Sequence, residues 1–349
     1  METNISDKPD KKRISPMGAV LKYGVPLVIT VGLCWLLFNG MDLKAMWATM
    51  TAECDFRWMW GNLLLTLAAQ VARAARWQIQ LKALGVKATF WELCLSVFGT
   101  YSVNLVFPRL GEVWRCGFIA ERERAPFTKV FGSMVADRLS DTVCVGLITL
   151  FTFCIAGSQL MTYLSQDPDK LDGIIALATS PWLWGLIIAC MAVVLWVFIK
   201  YPEHTAVLKV KGVVKGLWEG FAVIVKMPGK GRWLLFTLCI WASYVLSQWF
   251  ALKSFGLTSE MLDLYGLTPL MVCFSFTSLS MAVPSNGGIG PYQWAMIFAL
   301  SLYSAGIPGL DYLYSAAFAN MLMGTQTLLL IVLGIFTFSW IALTKKSRQ

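Results

Sequence analysis

Long apolar runs separated by short polar stretches make up most of the chain, and their lengths set the first expectation. Crossing the hydrocarbon core of a membrane takes about 20 mostly apolar residues in a helix. Six runs meet that length: Val20–Phe38, Trp58–Leu84, Thr128–Ala156, Pro181–Ile199, Arg232–Phe255 and Tyr312–Leu343. Two further runs are interrupted. Thr89–Phe107 is broken by Pro108-Arg109-Leu110-Gly111 and resumes as the short run Glu112–Ala120. Thr268–Val283 is broken by PSNGGIGP and resumes as Tyr292–Ile307. The pattern predicts an all-α polytopic membrane protein with about six spanning helices and two broken or re-entrant hairpins.

Composition agrees. Hydrophobic residues make up 57% of the chain and charged ones only 14%, an apolar load that a soluble domain cannot hide. The net charge of +9 then reads as a topology signal, because Lys and Arg collect in cytoplasmic loops, and nucleic-acid binding is not expected. The arm before Lys22 is basic, residues 39–56 and 157–180 lean acidic, residues 200–232 carry seven Lys/Arg against Glu203 and Glu219, and the tail after Leu343 is basic again. These alternating signs place both termini in the cytoplasm. Each broken run must then enter and leave on one side. For the first, the return arm is too short to span, so a hairpin is expected. For the second, a hairpin and a pair of spans both fit.

This organisation predicts a basic arm over 1–19, one transmembrane domain over 20–343 and a cytoplasmic tail over 344–349. Within the domain, 20–156 and 181–343 each read helix, helix, broken segment, helix, with opposite orientation. YSVNLVFP (Tyr101–Pro108) lines up with TSLSMAVP (Thr277–Pro284), and Arg138 lines up with Asn320. An inverted-topology repeat with interrupted helices is a recurring transporter plan, with substrate held at the breaks. Residues 203–226 interleave apolar positions with Lys209, Lys211, Lys215 and Lys226, which suits either an amphipathic helix on the inner membrane surface or an ordinary cytoplasmic loop.

Candidate chemistry lies where charge meets these runs. In NLVFPRLGEVWR (Asn104–Arg115), Pro108 stops one arm and Gly111 lets the chain turn. The N–H groups of the helix that follows, together with Arg109, suit an anion, and Glu112 can neutralise an arginine. A surface turn whose Arg109 and Arg115 snorkel to lipid phosphates is the competing reading. Asp137, Arg138 and Asp141 lie about 14 Å into a spanning helix. There, ionisable groups either line a pathway or lock helices together. Arg73 and Arg76 are three apart near a helix end, where snorkelling beside Trp77 and headgroup binding both fit. Pro284, Gly287, Gly288 and Gly290 form the second break, suited to a backbone anion nest or to close helix packing. The nine cysteines lack CxxC spacing and His204 is the single histidine, so no metal site, cofactor or catalytic constellation is expected.

These residues resemble the lysylphosphatidylglycerol synthase transmembrane region, also described as flippase-like domain proteins. The resemblance is carried by Asn104, the P-R-x-G-E run from Pro108 to Glu112, Arg115, the D-R-x-x-D run from Asp137 to Asp141 and the PSNGGIG block from Pro284 to Gly290, and it covers nearly the whole chain from about Val20. Arg73 and Arg76 fit the basic end of the family's second helix. The resemblance implies a multi-pass protein of the bacterial cytoplasmic (inner) membrane that moves an anionic, aminoacylated or polyprenyl-linked lipid. It departs from the pattern in two ways. An aminoacyltransferase domain is not expected after the last helix, so synthesis of an aminoacyl lipid is not expected either. Asn320 stands where many members carry an arginine. Lipid translocase is the leading expectation. A proton-coupled exporter of a small amphipathic solute and a non-transporting partner of a lipid or envelope biosynthetic enzyme are the alternatives.

Overall fold

The computed structural model describes residues 43–165, 180–201, 204, 208 and 227–346. The expected first span (20–38), the basic arm, most of the 203–226 segment and the last three residues lie outside them. The described residues form α-helices joined by short turns. They are α1 (Leu43–Glu53), α2 (Phe56–Ala83), α3 (Phe90–Val106), α4 (Leu110–Arg122), α5 (Phe127–Ser165), α6 (Pro181–Lys200), α7 (Lys230–Lys253), α8 (Gly256–Tyr265), α9 (Thr268–Ser280), α10 (Pro291–Ser301) and α11 (Tyr312–Lys346), with one 3-10 turn at Ser304–Gly306.

Local chemistry explains where the helices begin and end. Asp55 caps α2 by accepting from the Arg57 N–H, and Thr89 and Glu92 form a reciprocal capping box at the start of α3. α3 stops at Phe107, which turns extended because Pro108 follows. Pro291 sits in the first turn of α10, where its missing N–H costs nothing.

Among the described residues, α5, α7 and α11 hold windows long and apolar enough to cross a membrane, and α8 with α9 would add a fourth span as a pair bent by 117°. α2 has the length, at 28 residues, but carries Arg57, Arg73, Arg76 and Lys82. At 1.5 Å per residue, α3, α4, α9 and α10 are each shorter than the roughly 30 Å core. At each break the two arms pack on one another as a helical hairpin, α3 on α4 and α9 on α10. The acidic stretch 39–56 holds α1, and the residues between the runs ending at Phe255 and starting at Thr268 fold as α8. At 11 and 10 residues with several polar positions, neither gives a span-length signal.

α2 and α7 pack antiparallel along their lengths. The Asp55 N–H donates to the Ser254 carbonyl at one end, Ile79 meets Gly229 at the other, and Trp58 stacks edge-on against Trp249 and Phe250. Around this pair each hairpin packs on its own following helix and also on the last helix of the other half: α3 on α11, and α9 on α5. Ser102 of α3 donates to the Leu330 carbonyl of α11 at 2.7 Å, and Ser275 of α9 shares a 2.7 Å hydrogen bond with Thr152 of α5. The outer faces of these helices stay apolar and exposed, with Leu147 and Leu150 on α5, Leu238 on α7 and Leu328 and Ile335 on α11. Such a continuous apolar face has lipid as its natural solvent.

Candidate functional site

Neutral helices would pack more cheaply, yet α2 turns two arginines inward. Arg73 and Arg76 are buried, and Arg76 is fully so, which removes the snorkelling reading. Both reach α5. Arg73 Nη1 donates to Asp141 Oδ2 at 2.6 Å, and Arg76 Nη2 donates to Asp141 Oδ1 at 2.7 Å. Asp137, one turn earlier on the same face, has Oδ1 2.9 Å from Arg76 Nη2 but off the line of a hydrogen bond, and Oδ2 4.0 Å from Arg73. Desolvating such ions costs several kcal/mol each, so the network stands only because opposite charges meet at contact distance.

α7 completes the ring. Arg73 Nη2 donates to the Tyr244 hydroxyl at 3.3 Å, and Arg76 Nη1 to Thr237 Oγ1 at 3.4 Å. Arg138 points to the other side of α5, toward α4. It lies 3.7 Å from Glu112 and 3.7 Å from Asp141, too far for hydrogen bonds. Tyr101 of α3 sits among Arg73, Arg115, Arg138 and Glu112.

Arg115 completes the cluster from α4. It is fully buried, and its guanidinium stacks 3.8 Å from the Trp77 ring centre. Its Nε, Nη1 and Nη2 have no hydrogen-bond partner. Trp77 is itself held by donating to Ser133 Oγ at 3.0 Å. Counted together, Arg73, Arg76, Arg115 and Arg138 face Glu112, Asp137 and Asp141: four cations to three anions among the described residues of the cluster.

The break at 108–111 is built differently from the expected anion cradle. Asn104 Oδ1 accepts from the Gly111 N–H at 2.8 Å, so a side chain already occupies the start of α4, and Asn104 Nδ2 donates to Glu112 at 3.4 Å. Gly111 is required by close approach, because a Cβ there would collide with the Thr100 carbonyl oxygen. Arg109 stands apart from the charged cluster. Its backbone is left-handed at φ 60°, and its exposed guanidinium donates to the Ala282 carbonyl at 2.7 Å, at the tip of the other hairpin. There Gly287, Gly288 and Gly290 all have positive φ, Leu105 fills the space beside Gly287, and Pro284 is exposed. The two hairpin tips therefore touch.

A neutral counterpart of the Arg138–Glu112 pair lies in the second half. Gln293 holds the third position of α10, as Glu112 does in α4. Its Nε2 donates to Asn320 of α11 at 3.5 Å. Tyr101, Tyr244 and Thr237 join the site without a sequence signal, since neutral polar residues are common inside membrane helices. Trp77 was legible only as a neighbour of arginines.

Comparison with known proteins gives this arrangement a family. Over 107 residues the chain is 29% identical to the UPF0104 membrane protein MJ1595 of Methanocaldococcus jannaschii, a match covering 29% of this chain and 32% of that relative. No solved structure matches. The family model described as the lysylphosphatidylglycerol synthase TM region matches residues 24–339, a stretch that holds both hairpins and every charged residue of the cluster, and the chain is a membrane protein belonging to that family.

Proposed function

We propose that this protein moves a lipid with an anionic headgroup between the leaflets of a cytoplasmic membrane, aminoacylated and polyprenyl-linked phospholipids being the candidate cargoes. The observation that carries the reading is the network of four arginines and three carboxylates, buried except for Arg138 and Glu112 at its edge, set between α2, α4, α5 and α7 beside hairpins that meet at their tips. Ionisable groups inside a membrane protein are costly and mark pathways. A headgroup phosphate would be drawn by the cluster's excess arginine charge, while Asp141 keeps Arg73 and Arg76 paired as the lipid passes. Arg109 acts at the junction of the hairpins rather than on the phosphate.

The reading includes six spans, cytoplasmic termini and an inverted repeat. The exchanged packing of each hairpin on the other half's last helix supports the repeat, as do Glu112 and Gln293 at matching helix positions. Motion would rock one half against the other and part the hairpin tips. The protein acts as a transporter rather than an enzyme.

Leaflet exchange of labelled phospholipids in proteoliposomes tests this. Exchange should be fast with the native protein and lost in folded Arg138→Ala and Arg109→Ala. Native rates in both variants would refute the role of the network and the tips. Solute uptake that follows a pH gradient and ignores the lipid would favour an exporter. No exchange by the folded native protein, with every lipid and an applied proton gradient, would favour a partner of a biosynthetic enzyme.

A further inference from the structure

The arginines of the cluster are not equivalent. Arg73 and Arg76 are held by hydrogen bonds to Asp141. Arg138 has carboxylates at 3.7 Å, and its Nε and Nη2 make no hydrogen bond. Arg115 has no hydrogen-bond acceptor at all, although it is completely buried. Buried donors without partners are rare, and a charged one is the costliest kind. The Trp77 face compensates in part, because a desolvated guanidinium on an indole gains about 2 kcal/mol. That contact uses the face of the guanidinium and leaves its N–H groups without an acceptor, the Asp137 charge acting on it only from beyond hydrogen-bond reach.

The charge count points the same way. Three carboxylates offset three of the four guanidiniums, leaving one positive charge in a water-poor interior. A second carboxylate partner would have satisfied a purely structural need. We infer that Arg115, on its Trp77 platform and with Arg138 beside it, is the seat of one tetrahedral phosphate bearing a single negative charge, the form found in a phosphodiester headgroup. Fork geometry suits two phosphate oxygens. A doubly charged phosphomonoester or a pyrophosphate would carry more charge than the seat balances and would have to displace a carboxylate as well. This inference rests on the lipid-translocation reading for its setting and adds the charge class of the cargo.

The experiment uses the full chain in maltoside micelles, which contain no phosphate. Thermal unfolding is followed with phosphatidylglycerol, phosphatidic acid or inorganic phosphate added, and native mass spectrometry counts retained phospholipid. Phosphatidylglycerol should raise the Tm of the native protein and bind one per chain, with a smaller shift from phosphatidic acid. Arg115→Met keeps the packing volume and removes the unpaired charge. It should lose the lipid shift and the bound lipid, while its lipid-free Tm equals or exceeds that of the native protein. Arg115→Lys keeps charge without the fork and should bind about tenfold more weakly, which covers a failure of the Met variant to fold.

A lipid-free Arg115→Met protein that melts lower and still takes up phosphatidylglycerol would make Arg115 a structural cation and overturn the inference. A larger shift with phosphatidic acid would overturn the single-charge count. An equal shift with inorganic phosphate would keep the seat but assign it to the free ion. Binding lost in Arg115→Met, with no leaflet exchange by the native protein, would leave the seat standing and remove translocation. Exchange at native rates in Arg115→Met would do the reverse.

Discussion

Asp141→Asn is the sharpest probe of the buried network. Its carboxylate accepts from Arg73 at 2.6 Å and from Arg76 at 2.7 Å, and its side chain is only 12% exposed. Removing one partner of such a pair leaves an uncompensated buried charge and costs about 3–5 kcal/mol. The two arginines lose unequally. Arg76 keeps Asp137 at 2.9 Å, whereas Arg73 is left with Asp137 at 4.0 Å and the Tyr244 hydroxyl. One arginine is rescued and the other is not, so the low end of the range applies, about 3 kcal/mol. For a chain of 349 residues, roughly 2 °C of Tm per kcal/mol gives a fall of about 6 °C. Thermal unfolding in detergent reads this directly. Asp137→Asn should cost less, because Asp141 keeps both of its hydrogen bonds. A double-mutant cycle of Asp141→Asn with Arg73→Gln should return a coupling of more than about 1 kcal/mol. An Asp141→Asn protein that melts within about 1 °C of the native one would mean that the cluster is hydrated, and the argument from desolvation would fail with it.

Two further predictions concern packing. On α11, a Cβ at Gly334 would collide with Ser102 of α3, while one at Gly324 meets nothing within 4 Å. Gly334→Ala should therefore push the first hairpin off α11, lower the Tm and impair exchange, whereas Gly324→Ala should be neutral or stabilise by up to about 1 kcal/mol; the two melting curves compare them on one helix. Ser247 of α7 donates to Asn62 of α2 and shares a 3.0 Å hydrogen bond with Thr66, so Ser247→Ala should cost about 0.6–1.7 kcal/mol, read as a shift in unfolding midpoint. A larger loss would mean that these hydroxyls do more than join the two helices.

Much of this protein could be read along the chain, and the part that could not has a common cause. The apolar runs over Thr128–Ala156, Arg232–Phe255 and Tyr312–Leu343 became α5, α7 and α11 because membrane length and hydropathy are local properties. The breaks at Pro108 and Pro284 were equally local, since proline and glycine act on their own backbone. The face shared by Asp137 and Asp141 followed from helical spacing. Partner choice was different. Arg73 and Arg76 find Asp141 across 68 and 65 residues of sequence, and only the packing of α2 on α5 decides it. Arg109 and Arg115 looked alike as basic residues of one loop. The left-handed backbone at Arg109 sends its side chain out to Ala282, while one more turn of α4 carries Arg115 inward onto Trp77. Sequence alone therefore determined which segments are long and apolar enough to cross a membrane and where the helices break. Tertiary structure decided which charges are paired, which tips touch and which arginine is left without a partner, because desolvation and pairing depend on neighbours that only the folded chain brings together.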